Sequence, residues 1–141
     1  MAYIIADNII SPLGETSEEN YLSVKAGRSG IRAYEPGTCN IPEGFYASLL
    51  FEDFETLALR SAQKAIANAQ KTMGNERLEL KGKRTAFILS STKGNIEENI
   101  SLADSAQRIA NLLGIDSQPI VVCNACISGL SALIFGNRLI D

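Results

Sequence analysis

The residue best placed to do chemistry is Cys126, which follows an apolar run and precedes a helical pattern. Residues 119–122 predict a buried strand, and residues 128–139 predict a helix. A thiol at such a junction meets the electropositive start of the helix and its N–H groups, which favour the reactive thiolate. The same N–H groups can face the oxyanion of a tetrahedral intermediate. The spacing therefore indicates a cysteine nucleophile on a strand-turn-helix elbow.

Other interpretations of the cysteines stay open at this point. Cysteine is often a small buried apolar residue, so Cys126 can also be read as part of a core. Cys123 and Cys126 form a C-x-x-C pair, a spacing that is also typical of redox sites. We expect Cys123 to be the last inward-facing residue of the strand. Zinc is disfavoured, because the third cysteine, Cys39, is distant in sequence and the chain contains no histidine.

The absence of histidine limits the chemistry more than any motif does. Acyl-transfer sites commonly use histidine to move a proton or to pair with a thiolate. If Cys126 is a nucleophile of this kind, its proton-transfer partner is expected outside these 141 residues. No cofactor and no metal are predicted.

Alternating strand and helix patterns surround Cys126. A capping box at Thr16 and Glu19 predicts a first helix, whose buried side is expected to carry Tyr21, Leu22 and Val24. Further helices are predicted over residues 54–73, 102–113 and 128–139, and strands over residues 3–6, 45–49, 85–90 and 119–122. This alternation predicts an α/β fold with a mainly parallel sheet, as one domain over residues 1–141.

The composition is that of an ordinary globular protein, with 45% hydrophobic and 21% charged residues. A net charge of −3 gives no reason to expect nucleic acid or an anionic membrane as a partner. No apolar run reaches the roughly 18 residues that span a bilayer. The amino terminus lacks a signal-peptide pattern, and the 3 cysteines do not suggest a disulfide framework. A cytoplasmic location is therefore expected.

Three segments together resemble the β-ketoacyl synthases, a family with the thiolase-like fold. The family's opening is similar to residues 10–14 (ISPLG) and 26–31 (AGRSGI), and its nucleophile motif, A-C-x-S-G, is similar to residues 122–129 (VCNACISG). Between them, residues 90–99 (SSTKGNIEEN) stand where the family has the loop after its third strand. The resemblance implies the amino-terminal half-domain of such an enzyme, a layered α/β structure with a mainly parallel sheet flanked by helices.

The resemblance implies that Cys126 takes an acyl group from an acyl carrier protein and holds it as a thioester, with its own N–H as one oxyanion donor. A malonyl thioester is then decarboxylated, and its carbanion attacks the acyl-cysteine, as in fatty acid, polyketide or polyene biosynthesis. Ile96 matches a position that lines the acyl pocket in some members. A homodimer is implied for the complete enzyme.

The chain departs from the family in one respect. Active members carry two histidines, or a histidine and an asparagine, together with a lysine, in a carboxy-terminal half that these residues do not include. The 141 residues alone are therefore expected to be inactive. An alternative is a non-catalytic partner subunit of the chain-length-factor type, although such subunits commonly lack the cysteine that is present here.

Overall fold

A computed structural model describes residues 2–96 and 98–140 of the chain. The chain divides into two compact units, one formed by residues 7–52 and the other by residues 1–6 together with residues 53–141. Among the described residues the fold is mixed α/β, with four α-helices and two small two-stranded sheets. None of the helices in the described ranges is both long and apolar enough to cross a bilayer.

The smaller unit contains one helix and one antiparallel sheet. Its helix is α1 (Ser17–Lys25), and its strands are β1 (Arg32–Tyr34) and β2 (Phe45–Ala47). Tyr34 pairs with Phe45 in the sheet register, and their rings stack with centroids 5.4 Å apart. The strand predicted over residues 45–49 is therefore present but shorter, and β1 was not predicted.

Helix α1 begins at the predicted N-cap, Thr16, but only half of the predicted capping box is formed. The Thr16 hydroxyl accepts a hydrogen bond from the Glu19 N–H at 3.1 Å, and the Glu19 carboxylate accepts from the Glu15 N–H at 2.7 Å. The carboxylate thus reaches the residue before the N-cap rather than the N-cap itself. Both bonds pair N–H groups at a helix start, where the helix itself supplies no acceptor.

The expected buried side of α1 is wrong. Tyr21, Leu22 and Val24 are exposed, and the buried residues of the helix are Asn20 and Ser23. The reason is the amide of Asn20, which donates to the carbonyls of Ile9, Gly14 and Thr16 at 2.8–3.0 Å and accepts from the Ser11 hydroxyl. The polar face is buried because it satisfies the carbonyls of the preceding loop, an interaction that hydrophobic periodicity does not register.

The described part of the larger unit contains three helices and a parallel strand pair. Its helices are α2 (Phe54–Met73), α3 (Leu102–Leu113) and α4 (Ser128–Ile140), and its strands are β3 (Ile88–Ser90) and β4 (Ile120–Val122). Leu89, Ala106 and Ile109 form the buried core, where α3 packs against α2 and the sheet. The predicted bounds of α2 and α3 are confirmed, and α4 extends one residue past its predicted end.

The strands β3 and β4 pair in parallel, with Leu89 beside Val121, and α3 connects them. A parallel β-α-β unit is therefore present, as the strand-helix alternation predicted. Each strand is shorter than predicted, because only three residues of each find a partner in this pair.

The strand predicted over residues 3–6 is wrong. Residues 2–10, which the structure describes, carry no strand, and the side chains of Tyr3 and Ile4 are 78% and 81% exposed. An apolar run becomes a strand only where a neighbouring strand accepts its backbone hydrogen bonds. The strands that the structure describes pair as β1 with β2 and β3 with β4, and none of them pairs with residues 2–10.

Candidate functional site

Cys126 lies between a strand and a helix, at the position that the sequence predicted. Strand β4 ends at Val122, a single 3₁₀ turn spans Ala125–Ile127, and α4 begins at Ser128. Cys126 is the central residue of that turn, and it is exposed. The interpretation of Cys126 as a buried core cysteine is therefore wrong. Its sulfur is accessible to a reagent in solvent.

A buried serine at the start of α4 holds this turn closed. The Ser128 hydroxyl accepts a hydrogen bond from the Asn124 N–H and donates one to the Ala125 carbonyl, both at 2.7 Å. Ser128 is only 4% exposed, so water competes poorly for either bond. The Ile127 N–H also donates to the Asn124 carbonyl at 3.1 Å. These bonds fix the backbone on both sides of Cys126.

The residue before Cys126 adopts a backbone conformation that an alanine rarely takes. Ala125 has a φ of 44°, in the left-handed region. For a residue with a Cβ atom this region costs roughly 1 kcal/mol or more, and such strain is concentrated at functional sites. The surrounding hydrogen bonds, including one from the Asn124 amide to the Ser131 hydroxyl at 3.1 Å, hold the turn in this shape.

Cys123 does not face inward, and that expectation is wrong. Strand β4 ends one residue earlier, at Val122, and Cys123 is exposed. Its thiol donates a weak hydrogen bond to the Thr92 carbonyl, with 3.9 Å between sulfur and oxygen. Thr92 belongs to the loop after β3. The loops after the two parallel strands therefore adjoin at the carboxyl edge of the sheet, where open α/β sheets commonly bind ligands.

Ile96 lies in the loop after β3, and its side chain is 62% exposed. Its carbonyl accepts a hydrogen bond from the Asn99 N–H at 3.1 Å, within a turn. Glu97, in the same loop, lies outside the described residues. Neither Ile96 nor Cys126 lines any of three grooves in the described part of the larger unit. The role of Ile96 as part of an acyl pocket stays a prediction.

One groove that the sequence did not predict lies along α4, and Cys126 is not among the residues that line it. It has a volume of about 510 Å³ and runs along α4 from Gly129, one turn beyond the cysteine. Gly129, Ala132 and Gly136 line it at spacings of three and four residues, which puts them on one face of the helix. The rest of its wall is mostly apolar, formed by Ala2, Tyr3, Ile4, Ala86, Ile88, Leu133, Asn137 and Ile140. The spacing of small residues in α4 was the sequence signal for this groove.

The fold and the site define a mixed α/β protein with an exposed cysteine on a strained turn between a parallel strand and a helix. No family model, no curated protein and no solved structure matches the chain. The chemistry of the site itself is therefore the basis for a functional assignment.

Proposed function

We propose that this chain supplies the nucleophile of a β-ketoacyl-[acyl-carrier-protein] synthase, and that Cys126 holds the acyl chain as a thioester. The observation that carries the proposal is the exposed thiol on the turn between β4 and α4. A nucleophile at this kind of junction is accessible to a large thioester substrate and lies beside the positive end of a helix. The A-C-x-S-G pattern of residues 125–129 adds the family resemblance to this geometry.

In the proposed loading step the Cys126 thiolate attacks the carbonyl carbon of an acyl-carrier thioester. A tetrahedral oxyanion forms, and its collapse breaks the bond to the carrier sulfur, which leaves as a thiolate and takes a proton from solvent. N–H groups at the start of α4 are suited to stabilise the oxyanion. The chain has no histidine, so the groups that drive malonyl decarboxylation and condensation are proposed to come from outside these residues.

The exposed apolar side chains of α4 support the proposal that the remaining catalytic groups lie in a second half-domain that packs against this chain. Leu130, Leu133 and Leu139 are exposed along the helix, and Ile127 is exposed in the turn that leads into it. A helix that presents large apolar side chains in this way is typical of one that packs against further structure. A second half-domain that completes a thiolase-like layered fold is proposed as that structure, and β3-α3-β4 is the β-α-β unit on which such a fold builds.

The apolar groove beside α4 offers an acyl chain a place to lie. The first residue of α4 that lines it is Gly129, three residues after Cys126 in the chain, and the small residues Ala132 and Gly136 line it further along the helix. Filling it should therefore affect long acyl groups more than short ones. We expect Ala132→Phe to lower loading of a decanoyl thioester roughly tenfold relative to an acetyl thioester. Unchanged acetyl loading in the same variant would report that the variant is folded.

The direct test is acyl transfer to the reduced chain from acetyl- and decanoyl-carrier thioesters, with mass spectrometry of tryptic peptides as the readout. Cleavage after Arg108 and Arg138 places Cys123 and Cys126 on one peptide, whereas Cys39 lies on the peptide of residues 33–60. Fragmentation is expected to assign one acyl group to Cys126, released by hydroxylamine. No 3-oxoacyl product is expected when malonyl thioester is added to the chain alone.

The three exposed cysteines provide matched controls for this test. Cys126→Ala should abolish loading, while Cys39→Ala and Cys123→Ala should retain it. Equal loading of Cys39 and Cys126 would mean that exposure alone determines reactivity, and the proposal would then be wrong. Absence of any acyl group on Cys126 in a folded sample would also refute it.

A further inference from the structure

Cys123 gives Cys126 a second thiol three residues away, and both follow the carboxyl end of β4. Both cysteines are exposed, although the sequence pattern had suggested that Cys123 faces the interior. Among the described residues, the Cys123 thiol has one weak contact, with the Thr92 carbonyl at 3.9 Å. A bond of that length does little to hold the sulfur in place, since hydrogen bonds weaken steeply with distance. Cys123 is therefore available for chemistry of its own.

The backbone between the two cysteines bends sharply. Asn124 has a φ of −140° and a ψ of 54°, and Ala125, next in the chain, lies in the left-handed region with a φ of 44°. The hydrogen bond from the Ile127 N–H to the Asn124 carbonyl then closes a turn that contains Cys126. That turn spans residues 124–127 and begins one residue after Cys123. A disulfide requires the two Cα atoms to lie within about 7 Å of each other, and residues three apart in a chain are within that distance when the chain between them turns.

We infer that Cys123 and Cys126 form a reversible intramolecular disulfide, in which Cys123 acts as the resolving thiol. The two positions make a C-x-x-C pair at the carboxyl end of a strand, with a helix directly after it. This arrangement is typical of cysteines that exchange between thiol and disulfide. The disulfide prevents acyl transfer to Cys126, and this consequence rests on the proposed function. Formation of the disulfide itself is independent of the proposed function.

The reaction balances with a low-molecular-weight disulfide, such as glutathione disulfide, as the oxidant. The Cys126 thiolate attacks one sulfur of glutathione disulfide, which forms a mixed disulfide and releases one glutathione thiolate. The Cys123 thiolate then attacks the Cys126 sulfur of the mixed disulfide and releases the second glutathione thiolate. The two protein thiol protons pass through solvent to the two glutathione molecules. Excess dithiol reverses both steps.

The experiment incubates the full chain with defined ratios of glutathione disulfide to glutathione and measures the tryptic peptide of residues 109–138. Because this peptide contains both Cys123 and Cys126, their disulfide appears as the loss of two hydrogens from one peptide. Cys39, on a separate peptide, is expected to carry only a mixed disulfide. Alkylation with iodoacetamide before digestion counts the thiols that remain free.

Two variants separate the roles of the thiols. Cys123→Ser keeps the side chain nearly the same size and able to donate to Thr92, but it cannot resolve a mixed disulfide. We expect it to accumulate the glutathione adduct on Cys126 on the order of ten times more than the wild type does, because an intramolecular thiol outcompetes one in solution. Cys39→Ser is the matched control, and it should oxidise as the wild type does.

Each outcome distinguishes this inference from the proposed function, because acyl loading is measured on the same samples before and after oxidation. Disulfide formation with loss of loading, both restored by dithiothreitol, supports both. Disulfide formation in a chain whose reduced form accepts no acyl group supports the inference and refutes the proposed function. Stable glutathione adducts on both Cys123 and Cys126 of the wild type, with no internal disulfide at any ratio, overturn the inference.

Discussion

Cys39 and Cys126 are both exposed, and each is the central residue of a three-residue 3₁₀ helix. In both turns residues other than glycine adopt the left-handed region, Cys39 and Asn40 in one and Ala125 in the other. The two turns differ in the element that comes next in the chain. The Cys39 turn ends in extended chain at Ile41, whereas the Cys126 turn continues into the 13 residues of α4. Exposure and an unusual backbone are therefore shared features, and the adjoining helix distinguishes the candidate nucleophile.

The two turns also differ in the hydrogen bonds that close them. The Gly37 N–H donates to the Ile41 carbonyl at 2.7 Å, so backbone atoms close the loop around Cys39. Around Cys126, the buried hydroxyl of Ser128 makes two bonds to the turn. A turn that is closed by backbone hydrogen bonds tolerates most side chains. A turn that is closed by a buried side-chain hydroxyl depends on the residue that carries the hydroxyl. The comparison can therefore be tested by substitution.

The largest effect is expected for Ser128→Ala. It removes both bonds of the hydroxyl and leaves the Asn124 N–H without that partner, which should lower the free energy of unfolding by about 2 kcal/mol. Chemical denaturation would measure this change. Ser131→Ala is the control, because the partly exposed Ser131 accepts a hydrogen bond from the Asn124 amide at the edge of the turn, and it should cost less than about 1 kcal/mol. Equal effects of the two substitutions would contradict the role given to Ser128.

Ala125→Gly should have a smaller effect of the opposite sign. Glycine adopts a φ of 44° without a Cβ clash, so the substitution should raise the free energy of unfolding by up to about 1 kcal/mol. The control is Ala67→Gly, at an exposed position inside α2, which should lower stability by about 1 kcal/mol. If both variants are destabilised equally, the strain at Ala125 is not present in solution.

The sequence predicted those parts of the fold that are set by local patterns. The bounds of α2 and α3 reflect apolar spacing, and the structure adds N-caps at Asp53 and Ser101 that were not predicted. The junction at Cys126 was predictable because a β-branched run meets a helical pattern there. Expectations failed where longer-range pairing decided the outcome. Asn20 draws its own face of α1 inward, Cys123 lies one position beyond the last paired residue of β4, and residues 3–6 form no strand.

Substitution of Asp53, the N-cap of α2, should change the stability of the chain without altering the Cys39 turn or the Cys126 turn. Hydrogen bonds from the Thr56 side chain and then from its backbone N–H lower the pKa of Asp53 below its usual 3.8. Because this pKa is lower in the folded chain, the contribution of the cap is complete at pH values above the usual value of 3.8, which applies to the unfolded chain. It is lost as the pH falls through the folded value. Acidification below about pH 4 should therefore destabilise the wild type more than Asp53→Asn, whose amide caps without titrating.

The size of that contribution is measured at neutral pH by Asp53→Ala, which should cost about 1 kcal/mol or less, since the carboxylate is exposed. Under native conditions the rate at which iodoacetamide modifies Cys126 should not change in this variant. A change in that rate would mean that reactivity at Cys126 reports global stability rather than the geometry of its turn.

The smallest expected effect is a difference in reactivity between the Cys39 and Cys126 thiols, which can be measured within one molecule. The start of a helix stabilises a nearby negative charge by about 0.3–1 kcal/mol, which corresponds to a rate advantage of roughly two- to fivefold for a thiolate reaction. Cys126 should therefore react with iodoacetamide faster than Cys39 by that factor, measured from the two tryptic peptides in a Cys123→Ser background. High salt should reduce the ratio, because it screens the helix charge but leaves exposure unchanged. If Cys39 reacts as fast as Cys126 at every salt concentration, α4 contributes nothing to reactivity, and the distinction between the two turns fails.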